Sequence, residues 1–449
     1  MKESIRYLSL CGMLGYGYSP KSLENALKEE LDFIGVDAGS TDPGPYYLGS
    51  GKGFVKYLQV KRDLSLVLGE VKARHIPLII GSAGGSGAKP HVQSVLDILS
   101  ELAREKPLEF RTAVIYSDLD SEFLKRAAAD HLVPCGGAPE FDPRNIDKLR
   151  NPVAQFGTGP IIEALKGGAE IVVAGRCCDT AIFSAYPIMH GFDPGLALHA
   201  AKIAECGALC ARPVGANDSL LVEMFRDRFN VEPPNPERRC TPDSVAAHSL
   251  YEQPDPNCFY EPEGKIDLGN CTFTALSDRK VEVTGSRLVP AEKATTKLEG
   301  TIRRGFRSIT IAGVRDPAAI RHLDEIEAGV RRAVAESASF VKKDEYTLRF
   351  YRYGVDAVTG GNEPPAPPPR EAALVIEAVA PSQEKADALI GLARSKALHQ
   401  GFPERKATAG NLAFPFSPSD FSGGEVYEFA LYHLTGLPID LKPEFMVIK

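Results

Sequence analysis

No stretch of the chain approaches the roughly 20 consecutive apolar residues that a membrane-spanning helix requires. Familiar catalytic signatures are missing as well. There is no Gly-x-Ser-x-Gly elbow, no His-Glu-x-x-His pair, no EF-hand loop and no Walker loop, so standard hydrolase and kinase templates do not apply. Tryptophan is absent. A basic excess is absent too: the formal net charge is −7, the wrong sign for a surface that must neutralise phosphates. Neither nucleic acid nor a membrane is expected as a partner. The opening run MKESIRYLSLCGMLGYGYSP is broken by Arg6 and by glycines before it reaches the length of a secretory leader's apolar core. The nine cysteines are odd in number and irregularly spaced, which does not describe a disulfide framework. A reduced, cytoplasmic protein is expected.

What is present is an ordinary globular composition, 43% hydrophobic and 25% charged. At 449 residues the chain exceeds the usual size of one core, and two domains are expected. The first half alternates apolar runs (YLSLCGML, FIGVDA, IPLIIGSA, RTAVIYSD, AEIVVAGR) with helical stretches such as PHVQSVLDILSELAREK, where Val92, Val95, Leu96, Leu99 and Leu102 share a stripe. Continuous apolar strands separated by helices imply a parallel sheet covered on both faces. After about residue 240 the rhythm changes to antiparallel-looking strands, the helices near 319–338 and 382–400, and a proline-rich loop between Glu363 and Arg370. The expected fold is therefore α/β. An N-terminal domain, 1–240, has a mainly parallel sheet and glycine loops for substrate; a smaller α+β domain follows at 241–449.

The stretch FIGVDAGSTDPGPYYLGSG, residues 33–51, concentrates chemistry. Asp37 stands at the C-terminal end of a predicted parallel strand, the edge at which ligands of open α/β sheets bind. Asp42, Ser40 and Thr41 follow, suited to proton transfer and substrate anchoring or to capping the amides of a turn. GVDAGST also resembles the first phosphate loop of actin-like ATPases, but Pro43 and Pro45 cannot donate the ladder bonds of that loop's hairpin. A second glycine loop, IIGSAGGSGAKPH, offers Gly84, Gly85, Ser86 and Lys89 to an anion at a helix start; the order does not match a Walker loop, and a loop without ligand is the other reading. In the third, FGTGP, Thr158 precedes a helix with proline in its first turn, and the strand IVVAGR ends at Arg176, with Asp179 beyond it. Arg176 offers a fork to a carboxylate or pairs internally with Asp179. Cys177 and Cys178 lack metal-ligand spacing, and no metal site is expected. Glu205 and Cys206 close a helix, with a buried structural thiol the simpler reading of Cys206. Asn411, Ser417 and Asp420 sit in a late proline-rich turn and are placed over the first domain's cleft.

Taken in order, GVDAGSTDPGP, GSAGGSG, VAGRCCDTAIF, AAKIAECGA, HSLYEQPDP and TAGNLAFPFSP resemble the acyclic-terpene-utilisation protein A family, over nearly the whole chain. That resemblance implies catabolism of small acids or acyl compounds and, for some relatives, a separate small companion subunit. Many relatives carry other small residues where this chain has Cys177 and Cys178, which argues against an essential role for those cysteines and leaves Arg176 and Asp179 as candidates. The combined expectation is a lyase or hydratase, or an isomerase, acting next to the carboxyl group of a small carboxylic acid or acyl-CoA. Asp37 or Asp42 would move the proton, while Arg176, Lys89 and loop amides hold the oxygen. Acyl or amide hydrolysis through Cys206, Ser40 or water, and a non-catalytic subunit, are the alternatives. A homo- or hetero-oligomer is expected, and no cofactor is assigned.

Overall fold

A computed structural model describes residues 2–215, 217–362, 367–406 and 409–449. Part of the expected proline-rich loop, 363–366, lies outside the described residues. The chain divides into two compact units, one of residues 1–302 and 429–449, the other of residues 303–428. Residues 240 and 241, where the sequence divides the chain, both belong to the first unit.

The first unit is built on a ten-stranded sheet. Its middle is parallel, in spatial order Ile5–Ser9, Phe33–Asp37, Leu78–Gly81, Ile171–Ala174 and Phe110–Ile115. Antiparallel strands extend both sides: Leu220–Met224, Arg228–Glu232, Val281–Thr284 and Thr272–Ala275 on one, Glu444–Ile448 on the other. The sheet is thus mixed, with a parallel centre, where a mainly parallel sheet was expected. The strands near 272–284 are antiparallel as their polar turns suggest, but they join this sheet; alternation reveals a strand's type and not its neighbour.

The parallel strands are buried on both faces because successive side chains point to opposite sides. Tyr7, Phe33, Ile79 and Val172 enter one core, and Leu8, Ile34, Ile80 and Val173 the other. The helices Asp179–Met189 and Pro194–Ala204 contribute to the first core, and Tyr57–Arg74 and Lys89–Glu105 to the second. Asp193 starts Pro194–Ala204 by accepting the Leu196 amide at 2.9 Å, with Pro194 in the first turn. Every residue from Gly195 to Ala204 is buried.

Within the second unit, Thr347–Tyr353 pairs with Ala372–Ala380, which pairs with the Phe306–Val314 part of the strand Thr296–Val314. Helices Leu323–Ser337 and Gln383–His399 share its apolar core through Ile326, Val330, Val334, Leu389 and Ile390. Both helices fall where their periodicity predicts. Among the described residues, no helix is long and apolar enough to cross a membrane.

Three loops meet at the C-terminal edge of the parallel strands, and glycine makes the meeting possible. A Cβ on Gly39 would lie 2.4 Å from the Gly85 Cα, and one on Gly87 would lie 2.1 Å from the Arg176 amide nitrogen. Gly87 also has φ +67°, a backbone region that side chains disfavour. Gly69, inside the helix Tyr57–Arg74, has open space around the corresponding position. Gly87→Ala is therefore expected to lower the midpoint of urea unfolding, a loss of about 2 kcal/mol or more. Gly69→Ala should raise that midpoint, by about 0.5–1 kcal/mol. A Gly87→Ala protein as stable as wild type would show that the loops do not meet this closely.

Candidate functional site

The edge where these loops meet is organised around a buried cation. Arg176 follows the strand Ile171–Ala174 and is 3% exposed. Its amide donates to the Ser117 hydroxyl at 2.8 Å. Its guanidinium donates from Nε to Glu299 Oε2 at 2.9 Å, and from Nη1 to the Ser82 hydroxyl and the Cys177 carbonyl, each at 3.2 Å. Glu299 is fully buried; its other oxygen accepts from the Thr41 hydroxyl at 2.9 Å and lies 2.8 Å from Lys297 Nζ. Burial alone would raise the Glu299 pKa, but the charges of Arg176 and Lys297 and their hydrogen bonds outweigh it and hold it down at about 2.

Beside this pair opens a cleft of about 630 Å³. Its acids are Asp179, Glu205 and Glu261, and its ammonium groups are Lys202, Lys265 and Lys297. Apolar surface comes from Val289, Pro290, Ala291 and Leu434. Lys202 and Glu205, one turn apart on the buried helix, pair at 2.5 Å. Desolvation lifts Glu205 to about 8, the neighbouring Asp179 adding to it against the pull of Lys202. Glu261 is likewise raised to about 8, by burial first, with Glu263 adding to it. Once Glu205 ionises, its charge and hydrogen bond hold the Lys202 proton against desolvation.

Asp179 keeps 31% of its side chain exposed, whereas its Oδ1 is buried without a hydrogen-bond donor, 3.7 Å from Arg176 Nη1. Burial raises its pKa, and Arg176 counters the rise. Asp37, at the end of its strand, accepts the Gly39 amide at 3.2 Å. It is pushed well above the usual carboxylate range by burial and then by Asp179. Four acids that hold their protons unusually well thus accompany three ammonium groups.

The structure brings Asp37, Arg176 and Asp179 together, and treats the other expected residues differently. Thr41 is buried and holds Glu299. Ser40 and Asp42 form an exposed local turn, the Ser40 hydroxyl 2.5 Å from Asp42 Oδ2 and accepting the Asp42 amide at 2.9 Å. Thr41 and Asp42 line a separate cavity of about 400 Å³ with Cys135 and Tyr432. In the second glycine loop the Gly85 and Gly87 amides donate to Ser82 and Ala83 carbonyls, and the Gly84 carbonyl accepts from Phe54. Ser86 is fully buried with its hydroxyl unpartnered. The Gly85 and Gly87 donors therefore close turns instead of facing the cleft. Lys89 is exposed, with Nζ 5.5 Å from the Tyr116 ring centre. Thr158 donates its amide and hydroxyl to Glu263 at 2.9 and 2.8 Å. Asn411 lies in the second unit, where its amide group donates to the Ala397 and Gln400 carbonyls and closes the end of Gln383–His399.

Lys202, Glu261, Lys297 and Glu299 were not singled out in the sequence. Lys202 left a signal: a lysine and a glutamate three apart in HAAKIAECGALC, a run otherwise fit for a core, are rarely buried unless paired. Glu299, in a run of alternating charges, left none. Among the described residues, no group of three or more His, Cys, Asp or Glu is arranged to hold a metal ion.

These shifts fix a pH dependence of stability. Glu205 and Glu261 stay protonated in the fold up to about 8 but ionise in the unfolded chain near the ordinary value of 4.5. Their contribution is full below about 4.5 and is lost as pH rises towards 8. Glu299 behaves oppositely: its contribution is present above about 4.5 and is lost as pH falls towards 2. The melting temperature should peak in mildly acidic buffer, and the double variant Glu205→Gln, Glu261→Gln should flatten the alkaline limb alone. Glu299→Ala should lose about 3 kcal/mol or more, since it strands the Arg176 charge. An unchanged alkaline limb in the double variant would refute the assignment.

No curated protein and no solved structure matches the chain. The family described as "Acyclic terpene utilisation family protein AtuA" matches it over residues 49–217 and 231–413, a span that includes the Arg176 loop, the Lys202–Glu205 helix turn and Glu299. The chain belongs to the acyclic terpene utilisation AtuA family.

Proposed function

We propose that this protein is a catabolic enzyme acting on a small carboxylic acid or its coenzyme A thioester, and that it adds, eliminates or shifts a group next to the carbonyl, as a lyase or hydratase does. The observation that carries this reading is the cleft that sets Asp179, Glu205 and Glu261 beside Lys202 and Lys297. Removing a proton next to a carbonyl places negative charge on its oxygen, and fixed ammonium groups in a partly desolvated cleft stabilise that charge. An acid with a pKa lifted towards neutrality is matched to giving and taking such a proton. Asp179, with 31% of its side chain exposed and an oxygen that no hydrogen-bond donor reaches, is assigned the proton transfer. Glu205 keeps its proton as a donor, and Lys202 and Lys297 hold the oxygen. The apolar lining from Val289, Pro290, Ala291 and Leu434 suits an alkyl chain, in keeping with a family named for acyclic terpene utilisation. The cleft volume falls within the range of small-molecule sites.

Thiolate chemistry is less well supported. Burial lifts the Cys177 thiol to about 12 and raises Cys178 and Cys206 strongly, with Glu205 adding to the rise at Cys206. A raised thiol is a poor nucleophile at neutral pH.

Exchange of substrate hydrogen for solvent deuterium tests the reading without requiring the product to be known. Wild-type protein incubated in D2O with a panel of branched acyl-CoAs and free acids should label at least one of them next to the carbonyl, as read by mass spectrometry. Asp179→Asn and Lys202→Ala should each slow the labelling by about 100-fold or more, with melting temperatures recorded alongside. Labelling at wild-type rate in both variants would reject the proposal.

A further inference from the structure

A second cavity, of about 470 Å³, is lined by Arg212, Arg238, Arg239 and Arg279, with Glu237 and Asp278 as its acids. It shares no residue with the cleft. On a chain with a net charge of −7, four guanidiniums around one concavity are a local reversal of sign.

Their placement is costly without a ligand. Arg212 and Arg239 face each other in an antiparallel bridge, exchanging main-chain hydrogen bonds of 2.7 and 2.8 Å. Residues opposed in this way project their side chains on one face, and like charges so opposed are destabilising. Both arginines are exposed, and among the described residues neither makes an ion pair. The loop that carries Arg239 is held from behind: Arg279 donates from Nη2 to the Pro233 and Asn235 carbonyls at 2.6 and 2.7 Å, and from Nε to the Arg238 carbonyl at 2.9 Å. Below the bridge the Cys210 and Cys240 sulfurs are 3.8 Å apart in the core. Two uncompensated cations are thus presented side by side on a fixed frame.

We propose that this cavity binds the phosphate groups of a small phosphorylated molecule. A carboxylate balances one guanidinium, whereas a phosphomonoester or pyrophosphate brings a charge near −2 with several acceptor oxygens, and the arginine fork matches phosphate geometry. The patch is confined to one cavity on an acidic chain, which disfavours an extended polynucleotide. The site stands whether or not the cleft carries out the chemistry proposed for it.

Isothermal titration with inorganic pyrophosphate, in phosphate-free buffer of low ionic strength, tests the assignment. Wild-type protein should bind it saturably at one site, and the double variant Arg212→Ala, Arg239→Ala should bind at least tenfold more weakly. The side chains of both residues are exposed, so the variant should keep the wild-type melting temperature. The double lysine variant should fall between the two, since it keeps charge and loses the fork. Coenzyme A and 3′-dephospho-coenzyme A separate the sources: a loss of affinity without the 3′-phosphate assigns the site to a nucleotide-borne group, and equal affinity of all three ligands assigns it to the pyrophosphate unit alone. Either result supports the site. No saturable binding by the wild type, or equal binding by the alanine variant, would overturn it.

Discussion

The contact between Arg176 and Glu299 organises the rest of the first unit's chemistry. Two charges removed from water are costly, and the cost is offset only when both are also hydrogen-bonded throughout. Here Ser82, Cys177, Thr41 and Lys297 complete the set, so segments near residues 41, 82, 176 and 299 must assemble together. The pair also decides the protonation of its neighbours. Because Glu299 takes the close contact with Arg176, Asp179 is left at 3.7 Å and burial governs its titration. A folding requirement thereby leaves an acid whose pKa is raised by burial.

The parallel centre of the fold was legible because continuous runs such as FIGVDA and EIVVAG can be buried only on both faces of a sheet. The meeting of Asp37, the glycine loop and Arg176 was legible for the same reason, since each follows such a strand. The part played by the glycines was not. Gly39, Gly85 and Gly87 read as a cradle for an anion, but glycine serves equally where two backbones must touch, and spacing does not separate the two uses. Ser40 and Asp42 likewise satisfy each other in a turn, an outcome their types always permit. Glu261, Lys297 and Glu299 come from strands far along the chain, and only the closed fold shows that they face residues near 179 and 205.

The cleft and the arginine cavity differ in how charge is managed. In the cleft Lys297 pairs with the ionised Glu299 and Lys202 contacts Glu205, so charges and acids are held in place against one another. Around Arg212 and Arg239 the balance is left open, on a frame braced by Arg279. A partly dry cleft with fixed groups suits the redistribution of charge within a bound molecule; an unbalanced, wet cavity suits holding a charge that arrives from solution.

The first unit is discontinuous in sequence: 303–428 is inserted between its two parts. Its last 21 residues, 429–449, supply Leu434 to the cleft and an edge strand to the large sheet. In order of synthesis they follow the whole inserted unit. A growing chain can therefore fold residues 303–428 around their own core while the first unit still lacks a wall and a strand, since domains fold largely as units as they emerge. Until residues 429–449 are made, the cleft lacks Leu434 and the sheet lacks an edge strand, so a chain that stops short of them carries an incomplete site.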